Sequence, residues 1–278
     1  MDPGYLALLE SYPNLDYTVL WRAFLLAIMR VAPIVGLAPF LGAKLIPTTI
    51  RMIFALLLTF VFFPVVITSL QDVPLTNAMF IGYAFKEIAI GFAIGYLSSI
   101  PFFTAQSSGI LIDYLRGSSM FMAQDPTLQA QGSPIGVMLN LYMIALFYAV
   151  DGPFIFLGAV QNSFQLFPIN ALINPAFFNL QLPFWQTSLK VLSTVFALSI
   201  QLAAPSLLAI LMAEMFLGIA NRLAPQVQIA FLGMSLKSLM GLLLLWSAWF
   251  FLLRQMANFS LDWVNTLQKD LLTIPLSK

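Results

Sequence analysis

The chain contains no cysteine and no histidine in 278 residues. Those two absences exclude thiol nucleophiles, disulfides, Cys/His zinc sites, histidine-ligated haem and histidine general bases. Charge is nearly as scarce: 8% of residues are Asp, Glu, Lys or Arg, and the formal net charge is +1. Water-soluble domains carry about 25% charged residues, so this chain cannot clothe a water-facing surface. A net charge so close to zero also argues against a nucleic-acid partner. Motifs for nucleotide or acyl chemistry are missing as well, with neither G-x-x-x-x-G-K-[ST] nor G-x-S-x-G present. The expectation is no enzyme and no cofactor or metal, with any energy source lying elsewhere.

What is abundant is apolar: 60% hydrophobic residues, 26 Phe and 13 Met, with mean hydropathy +0.93. A bilayer-crossing helix needs about 20 mostly apolar residues. The gaps between charges predict an all-α membrane protein with six hydrophobic segments, near 20–42, 51–70, 81–103, 134–160, 187–213 and 226–254. Two stretches interrupt the pattern. Residues 104–133 begin apolar, carry Asp113 and Arg116, and end in Gly, Gln and Pro. The second is 161–185, within which FPINALINPAFFNLQLPF is rich in Pro and Asn and reads as a loop. One membrane domain over 1–257 is expected, followed by an amphipathic tail at 258–278 with Leu261, Val264, Leu267 and Leu271 at helical spacing. The first residues carry Asp2, Glu10 and Asp16 without a basic start, so no signal peptide is expected. Lys44 and Arg51 favour an inside location for the first loop, and Lys269 and Lys278 pull the other way, leaving the orientation open.

The helices are irregular. Pro33, Pro39, Pro47, Pro64, Pro101, Pro205 and Pro225 lie within or beside apolar segments. Each removes a backbone donor, and in lipid the freed carbonyl needs protein or cavity water. Gly91 and Gly95 form a small-xxx-small pair suited to close helix packing. Lys86, Glu87, Asp113, Arg116, Asp151, Glu214, Arg222 and Lys237 fall in apolar surroundings and need protein, water or the interface as neighbours. Lys86 and Glu87 read as a helix end at the head groups. Asp113 and Arg116, three apart, share a helix face and can pair.

Three passages carry a resemblance: RVAPIVGLAPFLGAKLIPTTIRMIFALLLTFVFFP at 30–64, KEIAIGFAIGYLSSIPFFTAQSSGILIDYLRGSSMFMAQDP at 86–126, and IANRLAPQVQIAFLGMSLKSLMGLLL at 219–244. Their pattern resembles the FliR/SctT (SpaR, YscT) family of type III secretion and flagellar export proteins. The matching positions are Arg30, Pro47 and Arg51; Glu87, Gly91, Phe102, Phe103, Gly109, Asp113, Gly117, Asp125 and Pro126; and Arg222, Ala224, Pro225, Gln226, Gly233 and Lys237. Ser235 stands where flagellar members commonly have Pro, a departure that favours an injectisome or divergent member.

The resemblance implies a single-copy export-gate subunit of the bacterial inner membrane. It implies assembly with P-type and Q-type subunits into a conical channel for unfolded proteins, alongside a U-type switch subunit and a V-type export subunit. It also implies kinked helices, not all of which span lipid, and a partly re-entrant plug inside the channel at 104–126. In that plug Phe102 and Phe103 would seal, Gly109 and Gly117 would hinge, Met120, Phe121 and Met122 would conform to passing chain, and Asp113 supplies the polar position. Arg30, Glu87, Gly91, Gly95, Arg222, Pro225, Gln226 and Lys237 would serve structure and assembly. Other classes remain open on the residues alone: a proton-coupled transporter of a small solute using Asp113, Asp151 or Glu214, a lipid-modifying enzyme, or a passive scaffold.

Overall fold

The computed structural model describes residues 17–42, 46–68, 77–117, 133–171, 179, 181–223 and 229–272. Within them the chain is helical: α1 Tyr17–Leu37, α2 Thr48–Thr68, α3 Asn77–Arg116, α4 Pro134–Ala149, α5 Gly152–Leu166, α6 Pro183–Leu223, α7 Ile229–Ser247 and α8 Trp249–Leu272, with a short 3-10 turn at Pro39–Leu41. Four of them, α1, α2, α3 and α6, are long and apolar enough to cross a membrane, and up to six spans result if the broken pairs α4–α5 and α7–α8 each count as one. The chain is an all-α multi-pass membrane protein.

Several segment boundaries differ from those expected. The apolar run at 134–160 is two helices, because Asp151 takes a left-handed conformation (φ 56°) and Pro153 stands two residues on, in the first turn of α5. The run at 226–254 breaks at Ala248, where α7 and α8 diverge by 63°. Residues 81–103 and the start of the expected plug form one helix, α3, which runs 40 residues to Arg116. Pro101 does not end it, and Ser98, Ser99, Thr104 and Ser108 donate their hydroxyls to carbonyls three or four residues back, so small polar groups stay satisfied inside the helix. Pro33, Pro64 and Pro205 likewise lie inside α1, α2 and α6.

Two contact units divide the chain. The first comprises Met1–Ser99, Asp151–Leu189 and Val264–Lys278, and the second Ile100–Val150 and Lys190–Trp263. In the first, α1 packs on α2 through Phe24, whose ring lies 4.9 Å from Phe60 and 5.6 Å from Phe63. Phe62 of α2 reaches Phe164 of α5, and Phe40 meets Phe156 edge-on at 5.0 Å. In the second, Phe102 of α3 stacks edge-on against Phe147 of α4 at 5.4 Å, and Tyr142 does so against Trp249 at 4.8 Å. The expected tail boundary at 258 falls inside α8, which buries Leu252, Met256, Ser260 and Trp263 along one face and exposes Arg254, Asn258 and Asp262. Large apolar side chains cover the outside as well, Leu192, Phe196, Leu208, Met212 and Phe216 of α6 among them.

Candidate functional site

Two polar clusters stand out against this apolar background, one in each unit. The first is built on α1 and α3. Gly91 lets the helices touch: a Cβ there would lie 2.2 Å from the carbonyl oxygen of Arg30. Gly95 meets α1 one turn on, where an added Cβ would lie 3.1 Å from the Cα of Ile34. The small-xxx-small pair is therefore an intramolecular seam. It brings Arg30 and Glu87 together, both fully buried, with Arg30 Nε 2.5 Å from Glu87 Oε2 and Nη2 2.9 Å from Oε1.

The remaining Arg30 donors close the end of α5. Nη1 donates to the Ser163 carbonyl at 2.8 Å, Nη2 to the Phe167 carbonyl at 2.6 Å, and the guanidinium lies over the Phe164 ring at 4.3 Å. Lys86 sits 2.9 Å from Glu87 and donates to the carbonyls of Pro168, Ile169 and Ala171. A helix C-terminus leaves carbonyls without intrahelical donors, and cations there are favoured by the helix dipole. The expectation that Lys86 and Glu87 mark a helix end at the head groups is thus overturned. Both lie inside α3 and hold the turn after α5.

The second cluster ties α3 to α4. Asp113 pairs with Arg116 at 2.7 Å, as the three-residue spacing anticipates. Its other oxygen accepts from the Ser133 hydroxyl and, at 2.9 Å, from the Ile135 N–H. Ser133 caps α4 by accepting from the Gly136 N–H at 2.8 Å, with Pro134 at the first helical position. A carboxylate is stabilised at that helix N-terminus. Below this clasp, Gly109 lies so close to α4 that a Cβ would sit 2.4 Å from the Gly136 nitrogen. Gly109, expected as a hinge, is a packing contact inside an unbroken helix. Phe102 is 1% exposed and Phe103 half-buried, both in the same helix. Gly117 ends α3 with φ 87°, the left-handed geometry glycine adopts without strain. Met120, Phe121 and Met122 lie outside the described residues, as do Pro225 and Gln226.

Of the late passage, Arg222 is exposed in the last turn of α6. Lys237 of α7 pairs with Glu214 of α6 at 2.5 Å, with side chains 22% and 53% exposed. Sequence reasoning missed Ser163, Phe167, Ser133 and Ile135 as partners. Ser133-Pro134 was the one readable signal, since Ser followed by Pro is a helix-start pattern. The carbonyl partners carry no side-chain signal at all. Among the described residues no group of three or more Asp or Glu gathers as a metal site.

The comparisons with known proteins agree in one direction. A family model described as bacterial export proteins, family 1, matches residues 21–262. Yop proteins translocation protein T of Yersinia pestis is 32% identical over 160 residues, covering 58% of this chain and 60% of that protein. Secretion system apparatus protein SsaT of Salmonella typhimurium is 30% identical over 169 residues, covering 59% and 62%. The flagellar biosynthetic protein FliR of Caulobacter vibrioides is 27% identical over 223 residues, covering 79% and 85%. The chain thus spans about 60% of the length of the first two of these relatives. With a family model covering most of its length, the chain belongs to the bacterial export proteins, family 1.

Proposed function

We propose that the chain is a core subunit of the type III export gate, forming with P-type and Q-type subunits the inner-membrane channel for unfolded proteins. The observation that carries this reading is the length of α6 combined with its surface. Its 41 residues extend about 60 Å at 1.5 Å per residue. The hydrocarbon core is about 30 Å thick. Yet exposed large apolar side chains run from Leu189 to Leu223, so lipid covers only part of the helix and protein must cover the rest. A subunit embedded in a helical assembly meets that need, and a free-standing solute carrier does not.

Within that assembly the stretch 104–126 acts as the channel plug, hung from the Asp113–Ser133 clasp. Phe102 and Gly109 belong to its rigid mount, and Met120, Phe121 and Met122 supply the deformable seal. Arg30, Glu87, Gly91 and Gly95 set the shape of the subunit. Co-expression with P-type and Q-type subunits tests the reading. A defined complex is expected from the three chains together, and an aggregated or degraded chain when it is expressed alone. A monodisperse monomer that ignores those partners would defeat it.

A further inference from the structure

α5 has two faces of different chemistry. Phe156, Ala159, Val160, Ser163 and Phe164 are buried, with Phe156 against Phe40 and Phe164 against Phe62. The opposite face, at helical spacing, runs from Phe154 through Gly158 to Gln161 and Gln165. Phe154 is 75% exposed, both glutamines are exposed, and Asn162 is half-buried beside them. Asp151, also exposed, stands at the N-cap of the helix.

This face is polar and unpartnered. Asp151 makes no capping hydrogen bond, and neither its side chain nor the three amides bond to any described residue. By contrast Glu87, Asp113 and Glu214 each have a cation on this chain. Lipid cannot cover the face, because its polar groups would stay unsatisfied in hydrocarbon. Water is a poor match as well: the chain has no charged residue between Asp151 and Lys190, whereas a solvated helix face carries charge. Gly158 points to a third kind of neighbour. Gly91, Gly95 and Gly109 each touch a second helix of this chain, but nothing lies within 4 Å of where a Cβ of Gly158 would be. A glycine inside a helix is destabilising relative to alanine, so this one has no use within the chain. Small residues and amides are what two helices place between them in a membrane.

We infer that this face of α5 docks one membrane helix of another subunit, a helix that brings an Arg or Lys to Asp151. The cation pairs with that carboxylate and lies over the Phe154 ring, three residues on. The partner's backbone crosses at Gly158, and its hydroxyl or amide side chains meet Gln161 and Gln165. The inference rests on the multi-subunit reading above and names the surface that such a subunit uses.

The test places a photo-crosslinking residue at Gln161 of the full chain, in membranes that hold its export subunits. Mass spectrometry identifies the captured peptide. One segment of one other membrane subunit is expected, with an Arg or Lys about 15 Å along its helix, the rise from Gln161 back to Asp151. Asp151→Asn keeps a residue that tolerates the left-handed backbone. It should lower retention of the captured subunit through detergent purification about tenfold, the factor a charged hydrogen bond supplies. Neutralising the captured cation should do the same alone, and nothing further in the Asp151→Asn chain. Gly158→Leu fills the crossing point without touching this chain and should abolish capture, scored per chain recovered. Capture of lipid, of a substrate in transit or of this chain's own residues would overturn the inference. So would capture that survives Gly158→Leu, or two neutralisations whose effects simply add. A captured helix with these features from outside the export apparatus would uphold the docking face and defeat the export-gate reading.

Discussion

Replacing Glu87 by Gln removes one negative charge from a site that holds two cations. Arg30 and Glu87 are 0% exposed and Lys86 is 7% exposed, so water cannot take over. Arg30 would keep its carbonyl partners at Ser163 and Phe167, and Lys86 its three, but no counter-ion would remain. Removing one partner of a buried pair costs about 3–5 kcal/mol. For a chain of this size that lowers the unfolding midpoint by on the order of 10 °C. The double variant Arg30→Met, Glu87→Met removes both charges and leaves Lys86 on its carbonyls. Its costs are the loss of one donor to the Phe167 carbonyl, about 1–3 kcal/mol, and one buried cation, Lys86, without a counter-ion, where Glu87→Gln leaves two. The double variant is therefore expected to be more stable than Glu87→Gln, giving a strongly non-additive cycle. Tryptophan fluorescence of the chain purified with its partner subunits reads the midpoints. A double variant as unstable as the sum of the two single Met variants would refute the coupling drawn here. So would Glu87→Gln melting within a degree of the unaltered chain.

Further outcomes follow from the two seams and the expected plug. Gly91→Ala and Gly109→Ala should each lose about 1–3 kcal/mol by overpacking backbone against backbone, and accumulate poorly on immunoblots of membranes. Gly82→Ala, with open space around it, should gain up to about 1 kcal/mol from helix propensity in the same assay. Asp113→Ala leaves the Ile135 N–H and the Ser133 hydroxyl without that acceptor and should cost about 1–2 kcal/mol, read as faster proteolysis near Ser133. Replacing Met120, Phe121 and Met122 by Ala should leak ions while the complex still assembles. Each large apolar side chain contributes about 1.5–3 kcal/mol to such a seal. Conductance and complex yield measured on the same membranes decide, and an intact complex without added leak counts against the plug.

Much of the fold is legible in the sequence, because charge gaps and helix length report on lipid solubility directly. The helix breaks are less so. The apolar run through 134–160 gives no periodic sign of its interruption, and the left-handed turn falls on Asp151, a residue that tolerates it only moderately. Reading Glu87 as a helix end follows from treating charge as a boundary marker. Its burial depends on Gly91 admitting Arg30 from a helix more than fifty residues away, which no local window contains. The Asp113–Arg116 pair was readable because both partners share one helix face, whereas the Ser133 clasp joins two helices. Lys237 was expected only to need protein, water or the interface beside it, and the folded chain names Glu214.

The claim that this chain lines the export channel is tested most directly by photo-crosslinking to a secretion substrate stalled in transit. A crosslinking residue at Met120 or Phe121 is expected to capture the substrate only in the assembled gate. The same residue at Met212, exposed on α6, is expected to capture lipid or a neighbouring subunit. Substrate crosslinks absent at 120 and 121 in a gate that is actively exporting would contradict the channel-lining role.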